Sequence, residues 1–306
     1  MDYLLVAGGL LGLFLGGEAL VRGAVGIARK LGLPALLIGL TVVGFGTSTP
    51  ELLVSVDAAL GGVPDIAIGN VLGSNIANIL LIIGVTALLR PIPVPAAGLR
   101  RDLGVMLAGA LVLLPVFALS QVARPAGALL VAGLVAYLVW AYRSPGPATP
   151  EAEDTPAPAA MGVSLVWLAV GLVALMLGAR FLVDGTSNIA RGLGVSEAFI
   201  GLTVVAVGTS LPELATSIIA ALRRQSEIAI GNVVGSNIFN ILGILGLTAV
   251  ISPIPVAERF LRFDLPVVIG VSLVLAALLL ARPRIGRALG LLLLAGYAAY
   301  VFAAQG

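Results

Sequence analysis

The chain has 306 residues, of which 59% are hydrophobic and 10% charged, with a net charge of +2 and neither cysteine nor histidine. Soluble globular chains carry about 25% charged residues, so this composition excludes a soluble fold, and its long continuous apolar runs point to membrane helices rather than a barrel. The two missing residue types exclude disulfides, thiolate metal sites, iron–sulfur clusters and histidine chemistry, which leaves carboxylates, amides, hydroxyls and backbone carbonyls for binding.

Ten stretches are long enough to cross a bilayer, which takes about 20 residues per helix. They run over 3–28, 34–60, 66–89, 103–119, 125–142, 163–190, 198–222, 228–251, 265–281 and 285–304. Asp2 stands where a cleaved leader would carry positive charge, so the first stretch reads as a retained span. Residues 143–161 are rich in proline and alanine and include Glu151, Glu153 and Asp154. Such a composition builds no core and predicts a flexible, extended linker.

The linker divides the chain into a first unit, 1–142, and a second, 162–306, and the two are repeats of one another. Residues 38–84 align without gaps on 200–246, with 31 identities in 47 positions. Pro91, Pro93 and Asp102 continue the register to Pro253, Pro255 and Asp264. With five spans in each unit, the second must enter the membrane from the opposite side. The predicted fold is therefore all-α, with ten transmembrane helices in two inverted-topology five-helix repeats. Twelve of the 17 lysines and arginines fall on one side and five on the other or near it. The positive-inside rule then makes the linker cytoplasmic and both termini extracytoplasmic.

The second span carries GTSTPE, from Gly46 to Glu51, and the seventh repeats it as GTSLPE, from Gly208 to Glu213. A charged side chain at the centre of a membrane helix costs about 2.5–3.5 kcal/mol and by default marks a functional pathway. Pro50 and Pro212 lack a backbone N–H and crowd the carbonyls of Gly46 and Gly208, so each helix should open there. The freed carbonyls become available to a cation. Thr47, Ser48 and Glu51 share a helix face, as do Thr209, Ser210 and Glu213.

The following helices carry GNVLGSNIAN and GNVVGSNIFN. In these, Asn70, Ser74 and Asn78 fall at intervals of four, as do Asn232, Ser236 and Asn240. Helices 2, 3, 7 and 8 are thus expected to be broken and to face one another. Together they offer two carboxylates with neutral amide, hydroxyl and carbonyl oxygens. Calcium takes 6–8 oxygens at flexible geometry, whereas magnesium demands a strict octahedron and retains water. The set suits Ca2+, and it could also hold dehydrated Na+.

A Gly–Pro kink alone is more often structural than functional, and a lone membrane asparagine is usually helix–helix glue. The conjunction repeated in two units outweighs that reading for most of the set. Asn70, Asn75, Asn232 and Asn237 remain assigned to structure, because not every amide reaches one centre. Glu18–Arg22 and Arg180–Asp184, each spaced by four, read as self-neutralising pairs near an interface. Asp102 and Asp264 read as N-caps of the fourth and ninth helices. Asp57, six residues past Glu51, faces elsewhere and has no assigned role.

The two GTS-x-PE motifs, each followed by its GN-x-x-GSN-x-x-N segment, resemble the alpha repeats of sodium/calcium exchangers in the cation/calcium exchanger superfamily. The resemblance covers nearly the whole chain. It implies a prokaryotic-type antiporter that exchanges Ca2+ for Na+ in the cell (inner) membrane by alternating access. It also implies that Glu51 and Glu213 are central Ca2+ ligands, with Thr47, Ser48, Thr209 and Ser210 binding Ca2+ and Na+ through side chains and carbonyls. Gly44, Ala206, Ser74 and Ser236 match positions of the family's sodium sites.

Many members have aspartate where this chain has Asn240, paired here with Asn78, which argues against the potassium-dependent branch. Gly73 and Gly235 stand where the proton/calcium branch resembles a GN-x-x-E pattern, and this favours sodium. The alternatives are a Ca2+/H+ exchanger using the same two glutamates and a cation channel. No catalytic constellation, cofactor, nucleic-acid surface or protein partner is expected. The partners are the transported ions and the lipid bilayer.

Overall fold

The structure, a computed structural model, describes residues 1–94, 99–144, 160–193 and 206–304, with Ala206 described for its backbone alone. In chain order the helices begin with α1 (Asp2–Leu31), α2 (Ala35–Thr47) and α3 (Thr49–Leu60). They continue with α4 (Pro64–Leu89), α5 (Leu99–Ala118), α6 (Arg124–Arg143) and α7 (Met161–Gly192). After a helical turn at Ala206–Gly208 come α8 (Leu211–Leu222), α9 (Ser226–Ile251), α10 (Phe260–Ala281) and α11 (Arg287–Ala304). Among the described residues, eight helices are long and apolar enough to cross a membrane, or nine when the bent pair α2–α3 counts as one span. The remaining predicted span, 198–222, is described only from Ala206 onward. The predicted linker lies almost wholly outside the described residues.

Local chemistry sets the boundaries. Gly32 ends α1 in the left-handed region, at φ 63°, with its N–H turned back to Ala28 and Arg29. Arg29 and Lys30 lie in the same last turn, where cations complement the helix dipole. Pro50 and Pro212 fall in the first turns of α3 and α8, where a missing N–H deprives the helix of nothing. The breaks sit at Ser48, at φ −84° and ψ 8°, and at Ser210, at φ −89° and ψ 6°. The α2–α3 axes differ by 43°.

The third and eighth predicted spans do not break as expected. Both α4 and α9 are continuous, and the polar segment ends in a π turn instead, at Asn78–Ile82 and at Phe239–Leu245. Neither helix has a proline near that point to remove a donor, so widening the ladder suffices. Such π turns occur frequently at functional sites. The same two helices form the centre of the molecule, with 78% and 83% of their apolar stretches buried against 11–39% for the other spanning helices among the described residues. Around them, α5, α6, α10 and α11 complete one core. Leu10, Leu11, Leu15, Val166, Val170 and Val173 are exposed on the outer faces of α1 and α7. That apolar exterior is what a bilayer covers.

A second, smaller core joins α1 and α7 to the segments carrying the motifs. Gly9, Gly16 and Gly23 recur every seven residues on α1, as do Gly171, Gly178 and Gly185 on α7. A Cβ on Gly16 would stand 2.7 Å from the Leu175 nitrogen, and one on Gly178 2.7 Å from the Leu13 nitrogen. Small residues let the two backbones meet, as membrane helix pairs require in the absence of a hydrophobic driving force.

The charged residues outside the motifs are used differently from the reading above. Asp102 lies within α5 and caps nothing: its Oδ1 accepts from Arg101 Nε at 2.8 Å and from the Tyr137 hydroxyl at 3.1 Å. Asp264 makes no capping bond either. Its Oδ1 accepts from the Tyr300 hydroxyl at 2.9 Å, and Arg259 Nε stands 3.4 Å from its Oδ2. Each aspartate therefore ties a helix to the next one, α5 to α6 and α10 to α11, because a buried carboxylate needs donors more than a helix end needs a cap. Glu18 pairs with Arg22 at 2.8 Å as expected, and it also takes Arg223 at 2.7 Å, joining α1 to the end of α8. Arg180 and Asp184 form the expected pair, at 3.8 Å on an exposed face. Asp57 is exposed.

Gly178→Leu is expected to lower the melting temperature in detergent, since overpacking costs about 1–3 kcal/mol. Gly133→Leu, where a Cβ meets nothing within 4 Å among the described residues, is expected not to. Equal losses from both variants would show that the glycine seam is not what holds α1 to α7.

Candidate cation site

The two motifs meet. Ser48, at the α2–α3 break, donates its hydroxyl to Glu213 Oε1 at 2.9 Å, and Ser210, at the break before α8, donates to Glu51 Oε1 at 3.4 Å. Each motif's serine thus serves the other motif's carboxylate. Both glutamates are 1% exposed. The geometry follows from the breaks: a serine in an uninterrupted helix would turn its hydroxyl to its own backbone, whereas these serines point across.

Thr47 Oγ1 lies 3.1 Å from the Val43 carbonyl, 3.4 Å from that of Gly44 and 3.1 Å from Asn232 Oδ1, so its single hydrogen goes to one of these. Ser236 donates to the Gly44 carbonyl at 3.3 Å, which brings Gly44 against α9. Asn78 donates to Asn237 Oδ1 at 3.2 Å, linking α4 to α9 at their π turns. Asn240 is buried, and so is Ser74, one turn before Asn78. No hydrogen bond among the described residues joins Ser74 to the rest, and the Ala206 side chain lies outside them.

What is left without a partner is informative. Of 14 buried side-chain polar atoms lacking a hydrogen bond among the described residues, six belong to five of the predicted site residues. They are Oε2 of Glu51 and of Glu213, Thr209 Oγ1, Asn78 Oδ1 and both polar atoms of Asn240. A buried polar group left unpaired costs about 1–3 kcal/mol. Five of these atoms are oxygens, which a cation can satisfy. Among the described residues no cluster of three or more acidic, histidine or cysteine side chains could hold a metal. A cation here would rely on two carboxylates and neutral oxygens, the donor set that suits hard ions.

Four residues outside the predicted set also bear on this geometry. Asn70 Nδ2 donates to the Glu51 carbonyl at 3.0 Å and to Ser55 Oγ at 2.9 Å. Asn232 Nδ2 donates to the Glu213 carbonyl at 3.2 Å and to Ser217 Oγ at 3.0 Å. The signal for the serines was present: each lies one helical turn past its glutamate and is identical in both repeats.

A multi-pass helical membrane protein with a buried, oxygen-only, two-carboxylate centre is suited to binding hard cations within the membrane. The family described as "Sodium/calcium exchanger protein" matches residues 1–143 and 163–305, and the chain belongs to that family of cation/calcium antiporters. It is similar to the inner membrane protein YrbG of Escherichia coli, at 38% identity over 94% of this chain and 92% of that one. It is also similar to the sodium/calcium exchanger MaX1 of Methanosarcina acetivorans, at 34% identity over 98% and 97%. A solved structure of the sodium-calcium exchanger NCX_Mj, soaked with 10 mM Na+ and zero Ca2+, superposes with a TM-score of 0.85 at 34% identity, covering 98% of this chain and 97% of that one.

In detergent, Ca2+ is expected to raise the melting temperature of the wild type, because a ligand bound by the folded state alone adds about 2.7 kcal/mol at a hundredfold excess over Kd. Glu51→Gln and Glu213→Gln should each remove most of that shift. A full shift in either variant would place Ca2+ binding elsewhere.

Proposed function

We propose that this protein exchanges Ca2+ for Na+ by alternating access through one site shared by its two repeats. Glu51 and Glu213 are its central ligands. Thr47, Ser48, Thr209, Ser210, Ser74, Ser236, Asn78, Asn240 and the backbone at Gly44 and Ala206 supply neutral oxygens. The observation that carries this reading is the crossed pair of hydrogen bonds, Ser48 to Glu213 and Ser210 to Glu51, with the second oxygen of both carboxylates unpartnered among the described residues. Two carboxylates balance one divalent ion, or partly balance several monovalent ones, and competition between those occupancies is a sufficient basis for exchange.

In the full architecture, ten spans form two inverted five-helix repeats, 1–142 and 162–306, joined by a cytoplasmic linker. The gapless internal alignment and the odd span count support this arrangement. The cell membrane is the proposed location, with both termini extracytoplasmic; the arginine distribution supports the orientation, and similarity to an inner membrane protein supports the membrane. Sodium is favoured over protons by Gly73 and Gly235, where the proton/calcium pattern has glutamate. The names of MaX1 and NCX_Mj, both sodium/calcium exchangers, lean the same way. The transported ions are substrates, and no cofactor is involved.

Proteoliposomes loaded with Na+ and diluted into Na+-free medium are expected to accumulate Ca2+, and Glu51→Gln or Glu213→Gln to abolish the uptake. Uptake driven by a proton gradient without Na+ would replace this reading with Ca2+/H+ exchange. A steady ohmic cation current would replace it with a channel.

A further inference from the structure

The paired asparagines have a more specific arrangement than helix–helix glue requires. An amide that merely joins two helices can end on any carbonyl. Here both end on the carbonyl of the glutamate itself: Asn70 on Glu51 at 3.0 Å and Asn232 on Glu213 at 3.2 Å. Both direct the same nitrogen to a serine one turn further on, Ser55 at 2.9 Å and Ser217 at 3.0 Å. Ser55, Ser217 and Asn232 are fully buried, and Asn70 is half-buried. Glu51 and Glu213 lie three residues past the breaks at Ser48 and Ser210, in the first turns of α3 and α8. A donor from the neighbouring helix, which also reaches the serine one turn on, ties the glutamate's main chain to α4 in one repeat and to α9 in the other.

Asn232 does a second thing. Its Oδ1 lies 3.1 Å from Thr47 Oγ1. A hydroxyl has one hydrogen, and a cation needs the oxygen's lone pairs. With that hydrogen directed to Asn232, or to the Val43 or Gly44 carbonyl, the Thr47 oxygen is poised as an acceptor before any ion arrives. Asn232 therefore connects one repeat's hydroxyl to the other repeat's glutamate. Its counterpart Asn70 makes no such bond, and Thr209 Oγ1 is buried without a partner among the described residues.

Resting on the site assigned above, we infer that Asn232 with Ser217, and Asn70 with Ser55, are positioning residues that set cation affinity through Glu213, Thr47 and Glu51. The two braces are unequal: Asn232 orders three groups of the site's surroundings and Asn70 two. Groups that orient metal ligands typically change affinity by about 10–100-fold when lost. That range is expected for Asn232→Ala, with a smaller change for Asn70→Ala.

The test measures half-saturating Ca2+ and maximal rate in Na+-loaded proteoliposomes. Alongside these, it measures the melting temperature in detergent with and without Ca2+. Asn232→Ala should raise half-saturating Ca2+ by about 10–100-fold, change the maximal rate less, and shrink the Ca2+-dependent melting shift. Ser217→Ala should move both in the same direction, and Ser217→Thr, which keeps the hydroxyl, should restore them. Should Asn232→Ala fail to fold, the Ser217 pair decides the matter.

The inference is overturned if Ser217→Ala and Asn232→Ala lower the cation-free melting temperature while half-saturating Ca2+ and the Ca2+-dependent shift stay at wild-type values. That outcome would make the braces purely structural. If the wild type shows no Na+-driven uptake but is stabilised by Ca2+, the proposed exchange fails and the melting shifts still decide the braces. Absence of any Ca2+ stabilisation in the wild type overturns both.

Discussion

Two carboxylates held within the apolar core of a membrane protein have to be supplied with donors, and every donor they take is one that competes with a cation. Among the described residues, one serine hydroxyl from the opposite motif serves each carboxylate. Ser48 donates to Glu213 and Ser210 to Glu51, both to Oε1, leaving Oε2 of each without a hydrogen-bond partner among the described residues. No lysine or arginine neutralises either one in the described contacts. A buried ion pair would place a carboxylate here at lower cost, but its fixed cation would compete with any ion bound at the proposed site.

Much of the surrounding architecture follows from that arrangement. For serines to reach across, both helices must break one position before the threonine or leucine that precedes the proline, and the breaks need a firm wall. The wall is α4 and α9, the two most buried spanning helices, whose glycines and asparagines allow close approach and lateral bonding. Gly231 shows the closeness: a Cβ there would stand 2.7 Å from the Leu36 carbonyl oxygen. Their π turns place Asn78 and Asn240 at the inner end of the polar segment without severing either helix. The glycine seam between α1 and α7 then closes the molecule on the other side of the motifs. Asp102 and Asp264, each hydrogen-bonded at Oδ1 by a tyrosine of the next helix, tie α5 to α6 and α10 to α11.

Span positions were legible in the amino-acid sequence because hydropathy and proline placement act over one helix at a time. The bend in the second span follows from Pro50 alone. The pairing of the two motifs was also legible, since the repeats identify which residues must be equivalent. The continuity of α4 and α9 was not, because a polar segment reads equally as an opened helix or as one carrying a π turn. The capping role given to Asp102 and Asp264 failed for a related reason: their tyrosine donors, Tyr137 and Tyr300, lie some 35 residues away in sequence. The asparagine braces were set aside as glue because their acceptors are backbone carbonyls, which a pattern of side chains does not reveal.

The proposed exchange requires one cation site between Glu51 and Glu213. Anomalous diffraction from crystals grown with Ca2+ measures it most directly. A peak is expected within coordination distance of oxygens from both glutamates, about 2.3–2.6 Å for Ca2+, and is expected to vanish in Glu213→Gln. A peak bound by one glutamate alone, or one remote from both, would contradict this.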